Sequence, residues 1–216
     1  MSRAIESSTE QSTQPALSRL ASSPSVLARM SFGAVILLGV LVGWGTADLG
    51  TADAYSTCLH PDGYCGSHFY SGVSFADSSG WSGSKATAIT NSGAAWSSSY
   101  VGVSQTVTCP CNALVYLVNF GSYIAPGATH NWYQPGDPYE IVYSEIYLNS
   151  LFTWYTDGTM NLNNHYADVR TVTLHEMGHM LGLAHDCTYT SAVMCVTWTS
   201  KWNPQTDDWN GINALY

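Results

Sequence analysis

Residues 175–186 read HEMGHMLGLAHD, with histidines at 175, 179 and 185, a glutamate at 176 and a glycine at 182. The whole chain has seven histidines, so nearly half of them stand in this one segment. At about 100° per residue, His175 and His179 lie one turn apart on the same helix face. Two neutral imidazoles at that spacing hold one Zn²⁺ from a rigid scaffold. Gly182 tolerates the left-handed conformation that ends a helix, so the chain can turn there and return His185 as a third ligand. Three protein ligands leave a fourth position for water, which is the arrangement of a catalytic rather than a structural zinc. Glu176 is not needed as a ligand and is placed to take a proton from that water. An isolated HExxH is a short pattern that also occurs in unrelated helices. The glycine and third histidine at the required offsets set this segment apart.

These residues need a helix beneath them. Residues 168–184, DVRTVTLHEMGHMLGLA, are the most helical stretch of the chain, with Asp168 suited to the N-cap. Leu174, Met177 and Leu181 fall opposite the histidines and point to a core. Upstream, 68–77 reads as a strand. Residues 82–99 read as an Ala-rich helix weakened by Gly93. Residues 103–108, 113–120 and 141–149 are strand-like, rich in β-branched and aromatic residues. Residues 121–140 hold three prolines and three glycines and read mainly as loop, with a short edge strand at 128–133. The order strand, helix, several strands, helix, irregular tail predicts an α+β domain with a mixed sheet.

The first 54 residues differ in kind. Residues 1–31 are Ser/Thr-rich, carry Arg3, Arg19 and Arg29, and lack apolar periodicity. The apolar run FGAVILLGVLVGW (32–44) is thirteen residues long, whereas a membrane span needs about 20. It fits the h-region of a signal peptide with a long n-region, and Ala52 and Ala54 form an A-x-A cleavage site before Tyr55. The expected division is a signal peptide over 1–54 and a catalytic domain over 55–216. An uncleaved signal anchor, tethering the protein to the membrane, is the alternative.

Six of 216 residues are Lys or Arg, and the formal net charge is −9. Phosphate binding needs clustered bases, so a nucleic-acid partner is excluded. All six cysteines, Cys58, Cys65, Cys109, Cys111, Cys187 and Cys195, follow the apolar run. An even number in an exported chain reads as disulfides, with fifteen possible connectivities. Proximity favours Cys58–Cys65 and Cys187–Cys195, leaving Cys109 to Cys111. The alternatives are free thiols in CPC, or Cys187 as a fourth metal ligand.

HExxHxxGxxH is the zinc signature of the metzincin metallopeptidases, and residues 175–185 match it at every fixed position. The chain resembles a bacterial matrixin-like metzincin over roughly 128–216. SAVMC (191–195) is similar to the metzincin methionine turn, with Met194 as its methionine. TDDWNGINALY (206–216) is similar to the family's closing helix, and ATHNWYQPG (128–136) to its substrate-pairing edge strand. The resemblance implies a zincin fold: a twisted mixed sheet, an active-site helix, an irregular C-terminal part and a closing helix. It implies one catalytic Zn²⁺ held by His175, His179 and His185, with Glu176 as general base acting on a zinc-bound water. It also implies a protein or peptide substrate laid along the edge strand, and a 187–204 loop lining the S1′ side. Asp186 departs from the usual matrixin residue, Val196 offers no tyrosine ligand, and no cysteine-switch motif is present. Calcium could sit near Asp137, Asp157 or Asp168, but no EF-hand spacing supports it.

The expected function is therefore a secreted, monomeric zinc endopeptidase with no stable membrane association after cleavage. The rivals are a zinc hydrolase of cell-wall amides and a non-catalytic surface protein with a structural metal.

Overall fold

Val73–Asp77 forms strand β1, whose Val73, Phe75 and Ala76 are buried. The computed structural model describes Thr57, residues 65–98 and residues 100–216. The expected signal peptide, its cleavage site before Tyr55, and Cys58 lie outside the described residues. After β1 come helix α1 (Ser84–Trp96), β2 (Val103–Thr106), β3 (Ala113–Val118), β4 (Gly127–Gln134) and β5 (Asp137–Asn149). They build one five-stranded sheet in the order β2-β1-β3-β5-β4. Four strands are parallel, and β4 alone runs antiparallel, at an edge. A small parallel pair, β6 (Thr153–Tyr155) and β7 (Tyr166–Asp168), leads into α2 (Val169–Met180), and α3 (Thr206–Leu215) closes the chain.

The core forms where α1 and α2 pack on each other and on the sheet. Phe75, Val115 and Ile146 enter it from the strands, Ile89 and Trp96 from α1, and Val172, Leu174 and Met177 from α2; all are essentially solvent-free. Burying each such side chain contributes about 1.5–3 kcal/mol. Gly93, a weakness in helix propensity, has a packing reason. A Cβ there would stand 2.3 Å from the Phe75 ring, so the bare backbone lets that ring lie against the helix. Trp96 then ties the helices together by donating its indole N–H to the Leu174 carbonyl at 2.8 Å.

The segment 121–140 is more ordered than its prolines suggest. β4 covers eight residues, and β5 begins at Asp137 rather than 141. Pro126 precedes β4, Pro135 and Gly136 (φ 88°) occupy the turn, and Pro138 is second in β5, all places that lose little ladder bonding. Register shifts at Trp132/Tyr133 and Tyr133/Gln134 mark an irregular edge near the turn. At the other end of the domain, β1 starts at Val73, five residues later than the predicted strand, although His68 makes an isolated bridge to Glu140. Helix α1 is trimmed to 84–96 by a Gly83 of positive φ and an extended Ser97.

Cys109 and Cys111 are bonded to each other, as are Cys187 and Cys195. Among the described residues, no helix is long and apolar enough to cross a membrane.

Candidate active site

Helix α2 starts where Asp168 accepts the Thr171 backbone N–H at 2.8 Å. The same carboxylate also accepts the Thr171 hydroxyl, the Gly158 N–H and the Trp202 indole. Both of its oxygens are thus engaged in capping the helix and bracing it to neighbouring loops. The helix ends at Met180, four residues before the predicted 184, in a Schellman turn. Leu183 N–H bonds Gly178 O and Gly182 N–H bonds His179 O, both at 3.0 Å. Gly182 has φ +100°, and a Cβ there would lie 2.0 Å from the Ser67 carbonyl oxygen. Both facts demand glycine.

The turn orients a histidine as well as reversing the chain. Leu183 presents its carbonyl 2.7 Å from His179 Nδ1. Val193 presents its carbonyl 2.8 Å from His175 Nδ1. A carbonyl only accepts, so each Nδ1 carries the proton and each Nε2 keeps its lone pair. His185 returns across the turn and sets its Nε2 3.1 Å from that of His175 and 2.9 Å from that of His179. One ligand atom from each histidine falls within 4.8 Å of the others. Burial and the neighbouring imidazole of His185 hold His175 down at about 3, and burial and both neighbours hold His179 well below its ordinary value. Neutral, tautomerically fixed imidazoles converging on one point are the donor set a zinc ion requires.

The site is graded from inside to outside. His175 is buried, His179 half-buried and His185 exposed. Cys187 is withdrawn from any role as fourth ligand by its bond to Cys195. The three histidines are the one potential metal-holding group among the described residues, so a metal held by them would have a position open to solvent or substrate. Trp198, from the loop after the disulfide, sets its ring 4.9 Å from that of His175.

Glu176 is 3% exposed. Burial pushes its carboxyl up to about 8, against a hydrogen bond from Thr129 that pulls it down. A cation in the triad would oppose that rise by favouring the carboxylate.

Met194 lies beneath the helix. A Cβ on Gly178 would meet its sulfur at 2.2 Å, so glycine at 178 is what admits the methionine. The turn around Met194 is held from two sides. Asp208 accepts Val193 N–H at 2.9 Å and Met194 N–H at 3.0 Å, and Lys201 donates from Nζ to the Cys195 carbonyl at 2.7 Å.

Sequence reasoning missed Thr129, Asn131, Asp208 and Lys201. Thr129 and Asn131 carried a usable signal, since two polar residues of one strand face share a sheet with apolar inward positions. Asp208 was visible only as part of the closing-helix motif and Lys201 not at all, because only folding brings them to the methionine turn.

A mixed sheet with an antiparallel edge strand, an HExxHxxGxxH helix and a methionine turn under the histidines define the metzincin class of metallopeptidases. Residues 51–216 match the sequence model of the matrixin family, and the chain belongs to that family. A search of curated proteins finds no match. The family implies zinc, and the three histidines are the residues that could hold it.

Proposed function

We propose that the protein is a secreted endopeptidase that cleaves peptide bonds by general-base-assisted attack of water. The observation that carries this reading is the convergence of three Nε2 atoms, with no fourth protein ligand among the described residues, on a helix that also carries the buried Glu176. When held there, zinc supplies a Lewis acid that polarises the scissile carbonyl and acidifies a water. Glu176 accepts the proton of the attacking water and returns it to the leaving amine. His175, His179 and His185 hold their Nε2 atoms towards one point throughout, with two of the rings locked by backbone carbonyls. The side of β4 left unpaired among the described residues offers backbone N–H and C=O groups to an extended substrate, which is how edge strands recognise peptides. Trp198, packed against the His175 ring, would border the substrate. Two disulfides among the described residues support an oxidising, extracellular destination.

The deciding experiment is Glu176→Gln in the full protein, assayed on casein and on peptidoglycan fragments. Loss of the base costs typically 10²–10⁴-fold, so casein hydrolysis falls by at least about 10²-fold while one zinc per chain remains. His179→Ala loses zinc and activity together. Undiminished casein hydrolysis by Glu176→Gln refutes the mechanism, and hydrolysis of peptidoglycan amides alone replaces peptidase by amidase.

A further inference from the structure

We propose that Thr129 of the edge strand β4 is a positioning residue for Glu176, holding one carboxylate oxygen so that the other addresses water. The proposal rests on the peptidase reading above, in which Glu176 is the base. Thr129 Oγ1 lies 2.8 Å from Glu176 Oε2 and 2.9 Å from the Glu176 backbone oxygen. Oε1 has no hydrogen-bond partner among the described residues. It lies against Gly127, where a Cβ would stand 2.8 Å from Oε1 and 2.9 Å from Cγ. Residues two apart on a strand share a face, so Gly127 leaves room for the carboxylate and Thr129 grips it. Asn131, the next residue on that face, donates from Nδ2 to the His179 carbonyl at 2.9 Å, and its own oxygen accepts the Ser144 hydroxyl. Three alternate positions of β4 therefore address α2 at the base and at a ligand.

The terminal torsion of a glutamate is broad, so packing of the stem alone does not set the plane in which the carboxylate meets the water. A hydroxyl fixed on a strand does. The strand that fixes it is also the strand with an unpaired edge, and β4 is bound to β5 through Thr129↔Ile146 and Asn131↔Ser144. A peptide laid along β4 would thus be registered on the same element that orients the base. The backbone of β4 does not depend on the Thr129 hydroxyl, so its loss should touch turnover and spare substrate binding.

The test uses the zinc-loaded full protein with Thr129→Val, Thr129→Ser, Glu176→Gln and the Thr129→Val/Glu176→Gln double variant. A hydrogen bond to a charged group corresponds to about 10- to 100-fold in rate. Thr129→Val should lower kcat by that factor with KM within about twofold, and Thr129→Ser should restore most of it. In the Glu176→Gln background, Thr129→Val should cost nothing further, because the base through which Thr129 acts is already gone. Zinc should stay at one per chain. The infrared band that Glu176→Gln removes from the metal-free protein should shift in Thr129→Val, reporting the lost hydrogen bond without any turnover. Should the valine variant not fold, Thr129→Ala carries the same measurements. Parent-like kcat and an unmoved band in Thr129→Val, with Glu176→Gln inactive, overturn the role of Thr129 and leave the base standing. Retained activity in Glu176→Gln removes the base itself and this proposal with it.

Discussion

The backbone carbonyl of Val193 stands 2.8 Å from Nδ1 of His175, and Asp208 accepts the N–H of the same Val193 at 2.9 Å. One residue thus relays the position of α3 to the innermost histidine of the triad. Asp208 also accepts Met194 N–H and Gln205 N–H, so three backbone donors depend on it. Leaving a buried donor unsatisfied costs about 1–3 kcal/mol. Asp208→Ala is expected to lower the free energy of unfolding by roughly 2–5 kcal/mol and to weaken zinc binding. Urea unfolding and zinc titration by a competing chelator check the two effects, and Asp208→Asn, which keeps one acceptor, should fall between.

Two glycines of the histidine segment differ in what surrounds them, and the substitutions should rank accordingly. Gly182→Ala forces a Cβ onto a backbone oxygen at 2.0 Å with φ +100°. Neither can yield without moving the Schellman turn that carries Leu183 and His185. Gly178→Ala meets the Met194 side chain, which can swing aside at a cost of about 1–3 kcal/mol. Thermal unfolding should show Gly182→Ala as the more damaged, and only Gly178→Ala should still bind a full equivalent of zinc.

Asp207 gives the protein a pH dependence with a definite sign. It is 5% exposed, its Oδ1 has no partner, and burial together with the charges of Asp186 and Asp208 raises its carboxyl to about 6. An ordinary carboxyl titrates near 4. A group raised on folding contributes its full stability below the unfolded value and loses it as pH rises through the folded one. Between about pH 4 and 6 the protein should therefore lose stability through this residue, and above about 6 it carries the full cost of the buried charge. Asp207→Asn should melt higher than the parent at pH 7.5, with the difference shrinking to nothing near pH 4. Comparing the two proteins at each pH removes the histidines and the zinc, which titrate in both. A constant difference across the range would assign the effect to packing instead of charge.

Secretion is open to a direct measurement. Material recovered from culture medium should begin at Tyr55, as read by N-terminal sequencing, and be accompanied by no full-length chain in the membrane fraction. Retention of the full chain in membranes would establish the signal anchor.

Local chemistry made the helix and its histidines legible in the linear chain. Asp168 caps because a short acceptor precedes a helical run, Gly182 reverses the chain because it alone accepts φ +100°, and the 3.6-residue period separates His175 and His179 from Leu174 and Met177. Each depends on residues within one or two turns, so sequence order and spatial order coincide. The strand of 121–140 was understated because proline and glycine counts ignore position, and here they flank the strand or occupy its turn. The shape of the site was decided by contacts between residues far apart in the chain. Thr129 reaches Glu176 across 47 positions, Val193 reaches His175 across 18, and Asp208 reaches Val193 across 15. Hydrogen bonds of that kind exist only after the sheet, the helix and the closing helix have packed. The identity of the candidate metal ligands is thus a property of one short segment, whereas the tautomer and depth of His175 and the orientation of Glu176 belong to the tertiary structure.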